Sequence, residues 1–458
     1  MGSPTRQLFG TDGIRGIAGE FPLTMESTYL IGRALGHDLI RTAANPRVVI
    51  GQDTRESSAW IADRVMLGLA SAGVETHSAG VITTPGVAYL ARSRKYAAGV
   101  VISASHNPWT DNGIKVFSGD GFKLPDSHEL AIEQEIFGLL KNPQKRADGG
   151  GGTLASSLPG EAALRRAYIE WLAANVHADL SRLRVLVDCA NGAATAEAPE
   201  LFRTCGIQAT FINAAPDGGN INENCGALHP EMIARAVTEK GQFDLGVTFD
   251  GDADRALFSD ATGRVVNGDG VLLLAARDMK SRGVLKGSTV VATTMSNMGL
   301  EIALRDSGIQ MMRANVGDKY VLEEMLKSGA TLGGEQSGHV IFRDGEATTG
   351  DGLLTALRVM EIMVRSGKTL AELVDDLQVF PQIIQNIRVR EKVPFAQVPD
   401  IQRVITSAQR ELDGNGRVVV RYSGTEALAR VMVEAESEKK MLSLAQEITG
   451  AIKRALGA

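Results

Sequence analysis

The residues whose types and spacing could do chemistry fall in a few short stretches of a 458-residue chain. In Asp250-Gly251-Asp252-Ala253-Asp254-Arg255, three carboxylates stand at alternate positions. Extended backbone turns alternate side chains to one face, and the small Gly251 and Ala253 also permit a close turn. Three like charges at that spacing repel unless a cation sits among them, and hard carboxylate oxygens favour Mg2+ over a soft metal. An EF-hand loop would need glycine after the third acid and glutamate at its twelfth position, where this chain has Arg255 and Ala261. A solvated acidic turn is the plainer alternative. The apolar run that leads into the acids, Leu245-Gly246-Val247-Thr248-Phe249, and the adjacent Arg255 weigh against it.

Ser105 follows the apolar run Gly99-Val100-Val101-Ile102 and precedes His106-Asn107-Pro108, so it belongs on a loop at a strand's end. A hydroxyl there is a nucleophile, a phosphate carrier or a turn former. The G-x-S-x-G elbow of hydrolases is absent. Adjacent residues in a strand point apart, so His106 reads as a hydrogen-bond donor to oxygens on Ser105 rather than as its base. Asn112-Gly113 reads as a tight turn beyond which Lys115 could fold back onto the serine. In Phe9-Gly10-Thr11-Asp12-Gly13-Ile14-Arg15-Gly16, glycines free the backbone to approach an anion and Arg15 offers two-point phosphate contact; an ordinary loop with a surface ion pair would look the same. In Gly333-Gly334-Glu335-Gln336-Ser337-Gly338-His339, Glu335 and Ser337 suit a sugar's vicinal hydroxyls, or the stretch is simply a hairpin turn before Val340-Ile341-Phe342. Arg421, Ser423, Gly424 and Thr425, with Arg430 nearby, have the parts of a phosphate cradle without a Walker lysine, or those of a polar turn. One small ligand touching all of these must lie in a cleft between domains, and the combination suggests phosphoryl transfer on a phosphosugar.

The elements that must position these groups alternate. Strands are expected at residues 47–51, 98–102, 184–188, 244–249 and 288–293, with helices over 60–72, 196–205 and 298–305. That alternation means α/β layers with largely parallel sheets. The glycine run Gly149-Gly150-Gly151-Gly152 marks a break, and from Phe380 the pattern changes to strands at 383–389, 417–421 and 429–433 with two helices. The expected plan is three similar α/β domains, 1–160, 161–262 and 263–379, and a smaller α+β domain, 380–458.

Composition fits that plan: 44% hydrophobic, 22% charged, formal net charge -6. An acidic chain without a basic block is a poor partner for nucleic acid or a membrane surface. No apolar stretch approaches the roughly 18 residues of a membrane span, and the first residues lack a signal peptide's apolar region. The 3 cysteines form no CxxC, which fits a reduced cytoplasmic setting.

TDGIRG, SASHNP, DGDADR, GEQSGH and SGTE occur here in the order of the α-D-phosphohexomutases, and the chain resembles that family over essentially its whole length. The longer segments VISASHNPWTDNGIKVFS, NVGDKYVLEEM and GGEQSGHVIFRDGEATTGDGLLTALRVMEIM most resemble the branch acting on glucosamine phosphates. The resemblance implies a four-domain, heart-shaped enzyme around one central cleft. It would interconvert glucosamine 6-phosphate and glucosamine 1-phosphate through a phosphoserine and glucosamine 1,6-bisphosphate, feeding UDP-N-acetylglucosamine and cell-wall synthesis. Ser105 would be the phosphoserine, and one Mg2+ would be held by Ser105, Asp250, Asp252 and Asp254. Glu335 and Ser337 would hold sugar hydroxyls, and Arg421, Ser423, Gly424, Thr425 and Arg430 the non-reacting phosphate. Arg15, Lys115 and Arg255 would surround the transferred group, with Lys115 and His106 both open as general base. A homodimer is compatible with this, and a phosphoglucomutase or phosphomannomutase is the alternative enzyme. A sugar phosphatase or a non-catalytic phosphosugar sensor is the more distant one. The family often has proline where this chain has Tyr422 and Ala427, which puts the stiffness of the cradle loop in question.

Overall fold

Short runs of β-branched and aliphatic residues form strands that are buried along their whole length at Ala98–Ile102, Leu245–Phe249 and Thr289–Thr293. A strand buried on both faces needs helices on both faces, which is why these runs sit in layered α/β sheets. The computed structural model describes residues 7–10, 12–141, 161–345, 347–423 and 427–458; the run Gly149–Gly152 and the motif residues Thr11, Gly424 and Thr425 lie outside them. The chain divides into a larger compact unit, residues 1–295 and 312–374, and a smaller one, residues 296–311 and 375–458.

The larger unit holds a six-stranded sheet in the order Phe9–Gly10, Gly13–Ile17, Asp111–Ser118, Ala98–Ile102, Arg47–Gln52, Glu75–Val81. Its last three strands are parallel and the others antiparallel, so the sheet is mixed rather than largely parallel. A five-stranded sheet follows, in the order Val265–Val266, Ala256–Asp260, Leu245–Phe249, Arg184–Asp188, Gln208–Ile212. In a third sheet Thr289–Thr293 pairs in parallel with Leu332–Gly334, and that strand pairs antiparallel with Val340–Phe342. The short strand-to-strand hairpins replace βαβ crossovers where the sequence places its functional loops.

The smaller unit is a three-stranded antiparallel sheet, Gln382–Arg388, Leu428–Ala435, Gly416–Tyr422, covered by helices Pro399–Leu412 and Glu438–Leu456. The helix Met298–Asp306 groups with it: Met298 N–H donates to Glu434 Oε1 at 2.8 Å, and Asn297 exchanges hydrogen bonds of 2.9 and 3.0 Å with Phe380.

Behind the first sheet, helices Met25–Thr42 and Glu56–Ser71 touch backbone to backbone at two glycines. A Cβ on Gly32 would lie 2.2 Å from the Val65 carbonyl oxygen, and one on Gly68 would lie 2.1 Å from that of Tyr29. Backbone atoms cannot swing aside, so the helices would have to part. Gly32→Ala is therefore expected to destabilise the fold by about 1–3 kcal/mol despite alanine's better helix propensity. Urea unfolding reads this as a lower midpoint, and an unchanged midpoint would refute the close crossing.

Candidate functional site

The chain leaves strand Ala98–Ile102 and bends at Ser105, which is buried with φ at +54°. That left-handed conformation costs a non-glycine residue about 1–3 kcal/mol. It is held in place: the Ser105 carbonyl accepts from Arg55 Nη2 at 3.1 Å and Asn222 Nδ2 at 2.9 Å, and its N–H donates to Ser103 Oγ at 2.9 Å. Arg55 is itself fully buried against Asp53. Because Ser105 is not extended, His106 does not point away as expected; its Nδ1 lies 3.2 Å from Ser105 Oγ.

Asn112 and Gly113 do not form the expected turn. They lie inside strand Asp111–Ser118, where Asn112 is buried and donates to Ser57 Oγ at 2.8 Å and Ser58 Oγ at 3.0 Å. Gly113 serves close approach instead, since a Cβ there would lie 2.6 Å from the Ser103 carbonyl oxygen. Lys115 therefore reaches the site from a strand, paired with Val101, rather than by folding back from a turn. Its Nζ is 2.8 Å from Asp252 Oδ2, 2.9 Å from Asp12 Oδ2 and 3.6 Å from Asp254 Oδ2. Burial works against its charge, but Asp12, Asp252 and Asp254 outweigh it and hold the ammonium above the usual lysine range.

The three acids of the 250–255 stretch come together by a turn, not by strand alternation. Ala253 has φ at +53° and its N–H donates to the Asp250 carbonyl at 3.0 Å. One oxygen from each of Asp250, Asp252 and Asp254 lies within 4.8 Å of the others. Ser105 Oγ donates to Asp250 Oδ2 at 2.5 Å, and the Thr84 hydroxyl donates to Asp252 Oδ2. Burial first, then Asp254 and Asp252, push Asp250 well above the usual carboxylate range. Burial also opposes ionisation of Asp254, yet Lys115, His339 and Arg255 hold it below that range. Asp252 Oδ1 is buried without a hydrogen-bond partner, and Asp254 Oδ1 has only looser contacts, 3.7 Å from His339 Nδ1 and 3.9 Å from Arg255 Nε. Clustered oxygen donors, one of them orphaned, and a hydroxyl on the same spot fit a hard divalent cation.

A cavity of about 380 Å3 opens beside this cluster and is lined by Arg15, Ser105, His106, Asp254, Arg255 and Glu335, among others. Burial, then Arg255 and Arg15, push His106 down to about 4, so its imidazole is neutral near pH 7. Residues 333–339 form the hairpin loop of the plainer reading, and it presents Glu335 to the cavity, with Oε1 accepting from Gly317 N–H at 3.0 Å and Oε2 3.5 Å from Ser337 Oγ. Sequence reasoning missed Asp12 as an electrostatic hub. It pairs with Arg15, as the plain reading of that loop expects, and also with Lys115 and, at 2.6 Å, with Lys123. Lys123 in turn lies 2.6 Å from Asp318. Arg55, Thr84 and Asn222 were also missed, because no local pattern marks residues recruited from elsewhere in the chain; His339 ends the 333–339 stretch itself and was passed over there.

The remaining expected ligands lie on the smaller unit. Arg421 and Arg430 are paired in register on adjacent antiparallel strands, and Ser423 follows at the strand's end. Tyr422 stacks on Phe395 with ring centroids 4.3 Å apart, and its hydroxyl donates to the Val393 carbonyl at 2.5 Å. Lys392 Nζ donates to the Ser423 carbonyl at 2.7 Å. These ties fix Tyr422 and Ser423 at the end of the strand.

Fold and site together define a mutase-type phosphosugar scaffold, and comparison with known proteins agrees. Models of phosphoglucomutase/phosphomannomutase domains match in chain order: domain I over residues 6–142, domain II over 166–263, domain III over 267–380 and the C-terminal domain over 385–451. A protein named phosphoglucosamine mutase from Koribacter versatilis is 60% identical over 459 residues, covering 100% of this chain and 99% of the relative. One of the same name from Solibacter usitatus is 52% identical over 452 residues, covering 99% of each. The chain belongs to the phosphoglucomutase/phosphomannomutase family. The fold matches the crystal structure of a family member from Burkholderia thailandensis, with TM-score 0.79, 23% identity and coverage of 98% of this chain and 99% of the other. It also matches Aspergillus fumigatus N-acetylphosphoglucosamine mutase in complex with GlcNAc-6P and magnesium, with TM-score 0.64, 20% identity and coverage of 99% and 96%.

The serine loop and the acid loop touch through Gly251, where a Cβ would lie 2.5 Å from the Ser105 carbonyl oxygen and 2.9 Å from Asn222 Nδ2. Gly251→Ala is expected to separate the two loops and weaken Mg2+ binding at least about tenfold, or about 1.4 kcal/mol. Isothermal titration with MgCl2 checks this, and wild-type affinity in the variant would show that the contact does not set the site.

Proposed function

We propose that the chain is a phosphoglucosamine mutase, interconverting glucosamine 6-phosphate and glucosamine 1-phosphate through a phosphorylated Ser105 and glucosamine 1,6-bisphosphate. The observation that carries the reading is Ser105 Oγ at 2.5 Å from Asp250 Oδ2, at the edge of three clustered carboxylates and a cavity of about 380 Å3. The names of the relatives at 60% and 52% identity supply the substrate.

Asp250, Asp252 and Asp254, with an oxygen on Ser105, would hold Mg2+. Bound there, it supplies positive charge to the oxygens of the transferring phosphoryl group. In the forward step the sugar hydroxyl attacks the phosphorus of phosphoserine, the P–O bond to Ser105 Oγ breaks, and the hydroxyl proton replaces phosphorus on Ser105. His106 suits the proton's passage, because its imidazole is neutral and its Nδ1 is 3.2 Å from Ser105 Oγ. Lys115 suits the opposite task. Held as an ammonium by three carboxylates, it has no lone pair to offer and acts by charge, with Arg15 and Arg255. The resulting bisphosphate then turns end for end and returns its other phosphate to Ser105.

Glu335 and Ser337 would hold sugar hydroxyls. Arg421, Ser423 and Arg430, with the motif residues Gly424 and Thr425, would grip the distal phosphate. Like charges in register, as at Arg421 and Arg430, repel across a strand pair and are relieved by an anion. Three free cysteines suit a cytoplasmic protein, and no helix among the described residues is long and apolar enough to cross a membrane.

Ser105→Ala should lower kcat by more than about 1,000-fold while the unfolding midpoint stays near that of wild type. Turnover that survives would end the phosphoserine scheme. Arg421→Ala should raise KM for the phosphosugar about tenfold or more, as loss of a charge-assisted phosphate contact does; unchanged KM and kcat would remove Arg421 from the cradle. A kcat/KM comparison among glucosamine, glucose and mannose 1-phosphates decides the substrate, and a preference for either neutral sugar would make the chain a phosphoglucomutase or phosphomannomutase.

A further inference from the structure

The acid loop 250–255 is gripped from two sides by helix N-termini. From one side, Thr84, the first residue of helix Thr84–Ser93, donates through its N–H to the Asp252 carbonyl at 3.0 Å and through its hydroxyl to Asp252 Oδ2. From the other, Gly352, the first residue of helix Gly352–Ser366, donates its N–H to the Ala253 carbonyl at 3.0 Å. A Cβ at Gly352 would lie 2.6 Å from the Arg255 carbonyl oxygen, so this second grip is a close one. The position of the loop between the two helices therefore depends on how far apart their first turns stand.

A single side chain from a third helix spans the caps of both. Tyr168, on helix Ala162–Ala174, is among the largest side chains buried completely. Its hydroxyl donates to Asp351 Oδ2 at 2.8 Å, while Asp351 Oδ1 caps helix Gly352–Ser366 by accepting from Leu354 N–H at 2.9 Å. The Tyr168 ring packs on the first turn of helix Thr84–Ser93, where a Cβ on Gly86 would lie 3.0 Å from Tyr168 Cδ1 and where the Thr83 hydroxyl caps the helix by accepting from Gly86 N–H at 3.3 Å. The joint is buried: Tyr168, Asp351 and Thr83 are 0%, 2% and 0% exposed. A phenol is a stiff strut with its polar tip at a fixed reach, and burial keeps that tip on its partner.

We propose that Tyr168 is a positioning residue for the metal loop, its ring seated on the first turn of one helix and its hydroxyl held by the cap of the other, so that the two helices whose first residues hold Asp252 and Ala253 keep a fixed separation. The proposal rests on the metal-dependent reading of that loop. Tyr168 acts through Gly86 and Thr83–Thr84 on one side and Asp351–Gly352 on the other. Removing the hydroxyl frees the Asp351 cap from the strut, so the loop loses its fixed place between the helices and Asp252 its place against Asp250 and Asp254.

The test uses the full chain and Mg2+ as the probe, with calorimetry as a readout separate from turnover. Tyr168→Phe should raise the Mg2+ dissociation constant about fivefold to tenfold, toward the low end of what loss of an orienting partner costs a metal site. The Mg2+ concentration for half-maximal activity should rise in parallel, while KM for the phosphosugar at saturating Mg2+ moves less than twofold. Asp351→Asn keeps both the cap and a partner for the phenol, so it should bind Mg2+ within about twofold of wild type. Asp351→Ser keeps the cap but is too short to reach Tyr168, so it should reproduce the Tyr168→Phe defect even if the latter variant fails to fold. Mg2+ affinity in Tyr168→Phe or Asp351→Ser equal to wild type, whatever the unfolding temperature, overturns the proposal. Failure of the wild-type chain itself to bind Mg2+ overturns the metal reading on which it rests.

Discussion

Asp12, Asp250, Asp252 and Asp254 can be kept together out of water only if their charge is balanced, and that constraint governs the larger unit. Three of these acids are almost fully buried, and moving an unpaired carboxylate from water into such a place costs several kcal/mol. The one ammonium at their centre is Lys115, 2% exposed and touching Asp12, Asp252 and Asp254. Even so, burial, with Asp254 and Asp252 beside it, drives the Asp250 carboxyl up rather than down. Clustered buried carboxylates, with an oxygen of Asp252 left without a hydrogen bond, fit a cation taken from solution. The serine hydroxyl 2.5 Å from Asp250 places the group to be phosphorylated where that charge would act.

Delivering these groups to one point uses backbone more than side chains. Lys115 arrives on a strand, the acids on a tight turn, and Ser105 on a strained left-handed bend. Each arrival depends on a residue small enough to let two chains touch: Gly113 against Ser103, Gly251 against Ser105, Gly352 against Arg255. The strain at Ser105 persists because Arg55 and Asn222 hold its carbonyl from two other loops. Arg55 can do this because Asp53 and Ser58 fix it in a fully buried network. Preorganisation of this kind favours a reaction carried mainly by position and charge.

Much of this was legible in the residues, and the limits have physical causes. Strands such as Arg184–Asp188 and Thr289–Thr293 were readable because continuous apolar runs bounded by polar turns admit few other structures. The clustering of the acid triad was readable because three acids at alternate positions follow a buried apolar run and precede Arg255, which favours convergence over a solvated turn. The mode of convergence was not: alternation in a strand and a left-handed turn at Ala253 both bring the three acids together, and local sequence does not choose between them. Asn112-Gly113 misled for a related reason. The pair is a strong turn signal in isolation, but burial of the asparagine amide against Ser57 and Ser58 overrides it. Asp12 looked like half of a surface ion pair because two of its partners, Lys115 and Lys123, are about a hundred residues away in the chain.

The surroundings of Lys115 and His106 favour different parts for them in the proposed phosphoryl transfer. A group fit to move a proton must change protonation state near neutral pH or already be neutral and aimed at the reacting oxygen. Lys115 fits neither condition, because the three carboxylates around it outweigh burial and stabilise its ammonium form, two of them within 2.9 Å of Nζ. His106 fits the second, because burial first, and then Arg255 and Arg15, keep the imidazole neutral. In the proposed reaction the cationic side of the cavity would do two things at once: attract the phosphate, and help keep the neighbouring histidine in the form that can accept a proton.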